Sequence, residues 1–575
     1  MYLLDYIVIV LYFLGLVAVS LVMSRKIKSS EDMFIAGRNS SWWLSGVSSY
    51  MTIFSASTFV VWGGVAYKSG LVAVVIAMVL GVASLVVGKW ISGKWRSLRI
   101  KSPGEFLAVR FGQDTVGFYT ISGIVARAVH TAVALYAVAV VMCGVIDISI
   151  WWALLILGGI ALVYTVAGGF LAVLMTDVIQ FGVLLSVVVF MIPLSFHEVG
   201  GVGTFMERAS QIPGFFSGTS ETYGWTWLLL WLILNIGMIG GDWPFVQRYI
   251  SVPTARDARK STYLIGILYF LTPLIWYLPT MICRVLEPGL GLDADAATMT
   301  WNGEHAYINM SKTVLMQGMV GMMLAAMLSA TLSNVSGILN VFANVYTYEI
   351  WGRRKKNVGA PEKKRIKVGR IFTLCFGLSI LGISMLVPFA GGAEKVVVTL
   401  LTLVMCPLYI PSIWGLFSKR LSGSQLIWTM VATWVIGITA RLAVPASVLS
   451  GSLIDSLAGG VLPILILTAL EIVSKFRGVT RLEAETLAQY VDPDADREPD
   501  EKMKKATRSY SEMAVTCFCI TIGVIAVLLG GLLLFKDPKT VAVKGIVLGF
   551  IALILVIISA YILYLIIDRR KNECR

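Results

Sequence analysis

Long apolar stretches alternate with short polar loops along almost the whole chain. Apolar windows of roughly 20 residues, the length needed to cross the hydrocarbon core of a bilayer, recur from about residue 4 to about residue 567. We count about 15 such windows, and they predict an all-α polytopic membrane protein. The first window begins at the N-terminus without a small-residue cleavage site, so we interpret it as a retained span and not as a signal peptide.

Two of the predicted spans are interrupted by residues that do not suit a continuous apolar helix. Residues 45–59, SGVSSYMTIFSASTF, place seven Ser or Thr hydroxyls where apolar side chains are expected. Residues 235–244, NIGMIGGDWP, combine three glycines with Asp242 and Pro244, which break a helix unless neighbouring groups satisfy the backbone. An interrupted helix at bilayer depth lines a cavity or an ion path; close packing of helices through small residues is the alternative.

The two interrupted helices divide the chain into a repeating arrangement. Five predicted spans in residues 41–195 are followed by five more in residues 223–420, and each set opens with an interrupted helix. Because five is odd, the second set enters the membrane with opposite topology, which is the pattern of an inverted-repeat transporter. The remaining segments are an N-terminal helix with a cytoplasmic loop (1–40), an extracellular loop (196–222) and about four extra C-terminal helices (421–575).

The positions of the charged residues along the chain are more informative than their total number. A formal charge of +14 in a soluble protein would suggest a nucleic-acid partner, but here Lys and Arg cluster in alternate loops, with Arg96 and Arg248 among them. By the positive-inside rule we expect the N-terminus outside and the C-terminus in the cytoplasm of a plasma membrane, the bacterial inner membrane. Only 14% of residues are charged and 57% are hydrophobic, which excludes an ordinary soluble domain.

The charged cytoplasmic loop 476–511 differs from the rest of the chain in composition. It is rich in charge and poor in aromatic residues. We therefore expect a solvated linker with partial helix, and a regulatory or partner-binding role is the alternative.

Candidate ion ligands lie in a third polar stretch, residues 328–340. Ser329, Ser333 and Ser336 recur at three- and four-residue spacing, which places them on one face of a helix. Hydroxyl and carbonyl oxygens suit a hard cation, whereas the imidazole and thiolate ligands typical of zinc or copper are missing from this stretch. The alternative is a face of small residues used for helix packing.

A single carboxylate, Asp177, falls inside a predicted span near its cytoplasmic end. A carboxylate at membrane depth is unfavourable unless it is paired or bound to a cation. The alternative is a carboxylate at a helix start, stabilised by the helix dipole near the surface.

Several short motifs occur in a fixed order around these features. They are SSEDMFIAGR, SPGEFLAVRFG, GGFLAVLMTDVIQ, the VQR of GGDWPFVQRYI, GEHAYI and GLFSKR. With these motifs the chain resembles the sodium:solute symporter family over residues 30–420, about two thirds of its length. The resemblance implies a LeuT-like fold of five plus five inverted helices, with one extra N-terminal helix and about four extra C-terminal helices.

The resemblance also implies a sodium site between the first interrupted helix and the serine-rich helix. Its ligands would be the backbone carbonyls of Met51, Phe54 and Ala330, the Ser333 hydroxyl, and Asn334, which stands where the family has a second hydroxyl. Some members bind a further sodium ion, for which Asp177 and Ser336 match the family pattern. Gly337 stands where that second site would have another hydroxyl.

The solute is less well specified by the resemblance. Thr58 and Ala77 occupy positions where sugar-transporting relatives carry Gln and Glu, which disfavours a galactose-type site. Ser55 with Thr58 is similar to what sialic acid transporters present, and Arg127 or His130 would meet a carboxylate. Alternatively, Arg127 is satisfied by carbonyls or extends toward the interface, and His130 is a packed neutral imidazole.

The second interrupted helix adds Asn235, Asp242 and Trp243 to the predicted solute site, with simple packing as the alternative for Trp243. We therefore expect a sodium-coupled symporter that imports a small polar solute, such as a sialic acid-like sugar acid or a sugar, by alternating access. A proton-coupled or uncoupled carrier and a membrane solute sensor are the alternatives. We expect no enzyme and no organic cofactor, because no nucleophile–base pair or phosphate-cradling loop is present; the partners are the solute, sodium ions and the lipid bilayer.

Overall fold

The computed structural model describes residues 3–25, 27, 29–55, 58–146, 148–286, 296–316, 318–387, 400–445, 448–449, 451–479, 487–533 and 560. These residues are predominantly helical, and the only extended pairing among them is a bridge between Leu98 and Val491. The α-helices are α1 Leu3–Ser24, α2 Ser30–Ile35, α3 Trp42–Ile53, α4 Gly63–Ser69, α5 Leu71–Trp90, α6 Ser92–Ser97, α7 Pro103–Phe111, α8 Gln113–Val145, α9 Ile150–Val199, α10 Val202–Ser210, α11 Trp225–Gly241, α12 Trp243–Ile250, α13 Ala255–Leu271, α14 Pro273–Leu286, α15 Ala296–Val314, α16 Met319–Val345, α17 Glu362–Leu386, α18 Cys406–Gly415, α19 Gly423–Ala443, α20 Gly451–Ser456, α21 Leu462–Phe476 and α22 Glu501–Leu533.

Many of these helices are long and apolar enough to cross a membrane. Within the described part of the chain there are nine such spans, or up to eleven if each of two bent helix pairs is one span. Two shorter apolar helices, Ile150–Val163 and Leu403–Gly415, coincide with two further predicted spans. The predicted total of about 15 stays a prediction, because the last predicted span lies outside the described residues.

Gly169 divides the 50-residue helix α9 at the point where two separate spans are predicted. Its backbone lies at φ 59° and ψ −160°, a conformation that residues with a Cβ rarely adopt. A Cβ there would also come within 2.8 Å of the Met33 carbonyl oxygen. The chain therefore turns between two spans at a glycine, without a loop.

The centre of the fold is α16, whose membrane-spanning window is buried throughout. It packs against α9, α8 and the N-terminal helix α1. The Asp5 carboxylate of α1 accepts hydrogen bonds from the amides of Gly318 (2.7 Å) and Gly321 (2.8 Å), which caps the start of α16. About two helix turns further along α1, the Tyr12 hydroxyl hydrogen-bonds to Ser329. The extra N-terminal helix is thus part of the support of the serine-rich helix.

Two arginines that the sequence analysis assigns to basic loops are buried, so that assignment is wrong for them. Arg96 in α6 donates to the carbonyls of Val252 (2.5 Å) and Pro253, and burial lowers the pKa of its guanidinium to about 10. Arg248 has no exposed side-chain surface and lies in α12. Both side chains satisfy groups inside the protein, and neither adds to the basic surface.

Of the charged loop 476–511, the described residues include a segment packed against the protein, which a solvated linker with partial helix does not predict, and the start of a helix, which it does. Residues 490–496, which we call the docked segment, lie against the loop after α6 and the start of α13, and α22 begins within the charged loop at Glu501. The indole of Trp43 in α3 also donates to the hydroxyl of Ser511 in α22 (2.7 Å). The backbone bonds of the docked segment are Asp492 N–H to Ser97 O (2.7 Å), Arg99 N–H to Tyr490 O (2.9 Å) and Ala255 N–H to Ala495 O (2.8 Å).

Two ion pairs reinforce this docking. Arg99 donates to Asp492 (2.9 Å), and Arg259 donates to both carboxylate oxygens of Asp496 (2.8 and 2.9 Å). The hydrogen bond from Arg99 holds the pKa of the Asp492 carboxyl below its usual value. A lowered pKa means that the ion pair stabilises docking above the usual titration range of aspartate and is lost only as the pH falls through the lowered value.

We expect Arg99→Gln to loosen the docked segment, because the substitution removes the guanidinium partner of Asp492. Hydrogen exchange at the Asp492 amide, measured by mass spectrometry, should become several-fold faster at neutral pH. Arg497→Gln is the control, since its guanidinium reaches only to 4.0 Å from Asp494 and is largely exposed. Equal exchange rates in the two variants would contradict a role for Arg99 in docking.

Candidate functional site

The first interrupted helix consists of two helical parts joined by a short non-helical break. Helix α3 stops at Ile53, Phe54 is extended (φ −71°, ψ 131°), and helical structure resumes at Thr58 after a bend of 67°. Across the break, the amide of Thr58 donates to the Ser55 carbonyl (2.9 Å). Because a helix leaves its last carbonyls without intrahelical partners, the carbonyls near the end of α3, including that of Met51, are candidate ligands.

The second interrupted helix repeats this geometry. Helix α11 ends at Gly241, Asp242 has the same extended backbone as Phe54 (φ −71°, ψ 131°), and α12 starts at Trp243 after a bend of 49°. Pro244 occupies the first turn of α12, where its missing N–H leaves no intrahelical bond unmade. A Cβ on Gly241 would approach the Tyr409 carbonyl oxygen to 2.6 Å, so the helix end packs closely against α18 through a glycine.

Asp177 joins both interrupted helices to α9 and α16. Its carboxylate accepts hydrogen bonds from the hydroxyls of Ser48 in α3 and Ser333 in α16, and Arg248 of α12 lies 3.3 Å away. The Arg248 Nε also donates to Ser48 (2.8 Å). We call these four residues, none of which has exposed side-chain surface, the Asp177 cluster. The carboxylate is therefore paired inside the protein, unlike a helix-start carboxylate at the surface.

Two members of the Asp177 cluster were missed by sequence reasoning. Ser48 is not singled out as a ligand within the polar run 45–59, and Arg248 is assigned to a basic loop. The available signal for Arg248 was its place in the short run WPFVQRYI, four residues after Pro244 and next to a break at membrane depth. An arginine there needs a buried anion, and Asp177 was the carboxylate already placed inside a span.

The other predicted sodium ligands lie near the Asp177 cluster, and their local contacts differ from one residue to the next. Met51, Phe54 and Ala330 are buried, and Ser336 donates to the Ser333 carbonyl (2.8 Å), so its hydroxyl is engaged by its own helix. Gly337 faces Arg248, because a Cβ there would lie 3.5 Å from the guanidinium. Hydroxyl, carboxylate and free carbonyl oxygens fit a hard cation such as sodium.

A cavity of about 340 Å³ lies beside the two helix breaks. Eight predicted residues line it together, which brings the predicted solute site and two predicted sodium ligands into one space. They are Phe54, Ser55, Thr58, Arg127, His130, Asn235, Asp242 and Asn334. Trp243 is absent from the lining, and its indole packs against Phe342 with ring centroids 5.4 Å apart.

The polar groups of the cavity are held by specific partners. Arg127 donates to the carboxylate of Asp242 and to the Tyr409 hydroxyl, so side chains satisfy it in place of the expected carbonyls. The amide nitrogen of Asn235 donates to the Trp231 carbonyl (2.7 Å). By contrast, His130 Nδ1 is buried and has no hydrogen-bond partner within the described part of the chain.

An aromatic row that sequence reasoning missed leads along the cavity wall. Tyr223, Trp227 and Trp231 follow one another at four-residue spacing on one face of α11 and the residues before it, with ring centroids 4.8 and 5.1 Å apart. Trp62 of the first interrupted helix adds a further ring 5.7 Å from Trp231. All four side chains line the cavity. The four-residue spacing was the signal that could have revealed the row.

Comparison with known proteins identifies the family of this chain. The sodium:solute symporter family matches residues 33–433, well over half of the chain. The chain belongs to the sodium:solute symporter family. It is a sodium-coupled solute symporter, and the predicted all-α polytopic fold of this family is confirmed.

Individual relatives agree with this assignment. The chain is 26% identical to a sodium/sialic acid symporter of Aliivibrio fischeri, over 65% of this chain and 75% of the relative. It is 24% identical to mouse sodium/glucose cotransporter 1, over 76% of this chain and 71% of the relative. The solved structure of a substrate-bound, outward-open Na⁺-coupled sialic acid symporter has the same fold, with a TM-score of 0.71 and 19% identity, over 84% of this chain and all but 1% of that one. These relatives are transporters, in agreement with the expectation that the chain is not an enzyme.

We expect Asp242→Asn to destabilise the protein in the absence of solute, because it leaves the buried Arg127 guanidinium without its carboxylate. Loss of one partner of a buried ion pair costs about 3–5 kcal/mol, which thermal unfolding of the purified protein would detect. Glu207→Gln, an exposed carboxyl-to-amide change on α10, is the control. The double variant Arg127→Gln/Asp242→Asn should recover part of the loss, and strictly additive losses would contradict the pairing.

Proposed function

We propose that sodium binds between the end of α3 and α16 in this chain, and that the adjacent cavity holds the imported solute. The proposed ligands are the carbonyls of Met51, Phe54 and Ala330, the Ser333 hydroxyl and the Asn334 side chain. The observation that carries this proposal is the Asp177 carboxylate, which binds Ser48 of α3 and Ser333 of α16 at the same time.

Asp177 has a definite part in this site. A hydroxyl that donates its proton to a carboxylate turns its oxygen lone pairs toward other neighbours. Ser333 donates to Asp177, so its lone pairs are available to a cation, and the carboxylate adds a favourable negative potential. The second sodium site proposed at Asp177 and Ser336 has weaker support, because Ser336 is bound to its own helix and Arg248 already neutralises Asp177.

Coupling follows from the position of the ion between two elements. A cation that bridges α3 and α16 stabilises the state in which these helices are together, and the solute cavity beside them is complete only in that state. One sodium ion gains about 2.3 kcal/mol per 100 mV of membrane potential, and a tenfold sodium gradient adds about 1.4 kcal/mol. Together these sustain a solute gradient on the order of several hundredfold.

The solute that this cavity favours is a small polar organic molecule. The two relatives described above are a sodium/sialic acid symporter and a sodium/glucose cotransporter. Thr58 and Ala77, which replace the Gln and Glu of sugar-transporting relatives, both line the cavity. This lining supports a sugar acid over galactose. The proposed setting is the bacterial inner membrane, with the N-terminus outside, the C-terminus in the cytoplasm and no organic cofactor.

The test of the function is solute uptake by the full-length protein reconstituted in liposomes, with candidate sugars and sugar acids as radiolabelled probes. Replacing external sodium by choline should abolish uptake, because the coupling ion is removed. Undiminished uptake in choline would favour a proton-coupled or uncoupled carrier. Sodium-dependent binding without uptake would favour a solute sensor.

The sodium site itself is tested by Ser333→Ala. The substitution removes one proposed ligand and one donor to Asp177, so the sodium concentration for half-maximal uptake should rise by about tenfold. Ser379→Ala is the matched control, since that exposed hydroxyl bonds only to the carbonyl of Cys375 on its own helix. An unchanged sodium dependence in Ser333→Ala would argue against the proposed site.

A further inference from the structure

A second Arg–Asp pair lines the same cavity, and one of its two helices, α20, contacts α11. Arg441 lies in the last turn of α19 and Asp455 lies in α20, and both side chains contribute to the cavity wall. Both residues lie beyond residue 433, where the match to the family ends. The C-terminal helices therefore extend the cavity beyond the two helix breaks.

The two cavity arginines differ in the exposure of their side chains and in the hydrogen bonds that they make. The inner one, Arg127, has 9% of its side chain exposed and donates to Asp242 and Tyr409. The outer one, Arg441, has 39% of its side chain exposed, and its Nε lies 3.8 Å from Asp455, too far for a hydrogen bond. Within the described part of the chain the Arg441 guanidinium makes no hydrogen bond, and its side chain lines the cavity.

Two neighbours fix the place of this guanidinium. Asp455 is buried, with 2% of its side chain exposed, and holds the positive charge of Arg441 at the cavity wall. The guanidinium packs against Gly451, where a Cβ would collide with it. The arginine is thus held in one place while its hydrogen-bonding edge stays accessible.

The cavity that Arg441 lines also has an aromatic wall. Tyr223, Trp227 and Trp231 line it, with the Trp227 and Trp231 rings stacked and the Tyr223 ring edge-on to Trp227. Such a surface suits the apolar face of a small ring or chain, and a guanidinium fork suits a carboxylate through two parallel hydrogen bonds. The combination recognises a small organic acid better than an uncharged polyol.

We propose that Arg441, positioned by Asp455 and Gly451, is an outer subsite for the carboxylate of the solute. The solute binds there against the aromatic row before it moves to Arg127 beside the helix breaks. This subsite rests on the proposed function, because it assumes that the cavity is the solute path. It adds a substrate class, small organic carboxylates, and assigns a binding role to the C-terminal helices.

The test uses the purified full-length protein and a matched pair of probes, glucuronate and glucose, which differ by one carboxylate. Binding in sodium buffer is measured as the probe concentration that gives half-maximal thermal stabilisation. N-acetylneuraminate and myo-inositol serve as a second charged and a second uncharged probe. We expect the carboxylates to bind better than the uncharged probes, and Arg441→Gln to raise their half-maximal concentrations by about tenfold.

Two further variants separate a binding role from general damage. Gly451→Ala keeps the charge of Arg441 but displaces the guanidinium, so it should weaken the carboxylates in the same direction. Arg208→Gln removes an equal charge from the exposed helix α10 and should change nothing. Any one of three results would overturn the subsite. Carboxylate binding could be unchanged in Arg441→Gln, or the uncharged probes could be weakened as much as the carboxylates. The third result is that neither carboxylate binds to the unmodified protein.

Failure of the subsite is distinguishable from failure of the proposed function. Uptake that depends on sodium but is insensitive to Arg441→Gln would remove the outer subsite and leave sodium coupling in place. Carboxylate binding that is lost in Arg441→Gln, together with uptake that persists in choline, would support the subsite and contradict sodium coupling.

Discussion

The pairing of Asp177 is the constraint on which the rest of the arrangement depends. A carboxylate inside a membrane protein is strongly unfavourable unless donors surround it. Here the donors come from three other elements, namely Ser48 of α3, Ser333 of α16 and Arg248 of α12. No one helix could supply them, so the carboxylate is satisfied only when both interrupted helices and α16 meet α9. A movement of any of these elements must therefore provide a replacement partner.

This constraint explains why the helix breaks lie where they do. Phe54 and Asp242 share the same extended backbone, although they interrupt different spans. Ser48 lies on the α3 side of the first break and Arg248 on the α12 side of the second, so the Asp177 cluster fixes one half of each interrupted helix. The other halves, from Thr58 onward and up to Gly241, border the cavity. Residues next to the breaks in α3 and α12, among them Ile53, Pro244 and Phe245, also line the cavity, so the Asp177 cluster and the cavity are linked through both helix breaks.

Sequence analysis recognises residues that differ from their immediate neighbours, and it misses residues whose role depends on partners far away in the chain. The serine run, the glycine-rich break and Asp177 were recognisable because polar residues stand out in apolar stretches. Arg248 was assigned to a loop because a buried arginine is identified by its partner, 71 residues away. The docked segment was taken for a solvated linker for the same reason, since Asp492 meets Arg99 across 393 residues. The composition of such a segment does not reveal the surface against which the segment packs.

Arg–Asp pairs recur at three places, two in the proposed solute path and one beside the proposed sodium site, and such pairs suit a carrier. They are Arg441–Asp455, Arg127–Asp242 and Arg248–Asp177. A lone charge would bind an oppositely charged ligand too firmly to release it and would be unfavourable when the site is empty. A paired charge is balanced in the empty state and exchanges one partner for another when the ligand arrives. Release then restores the pair, so binding and departure of the ligand occur without leaving an uncompensated charge inside the protein.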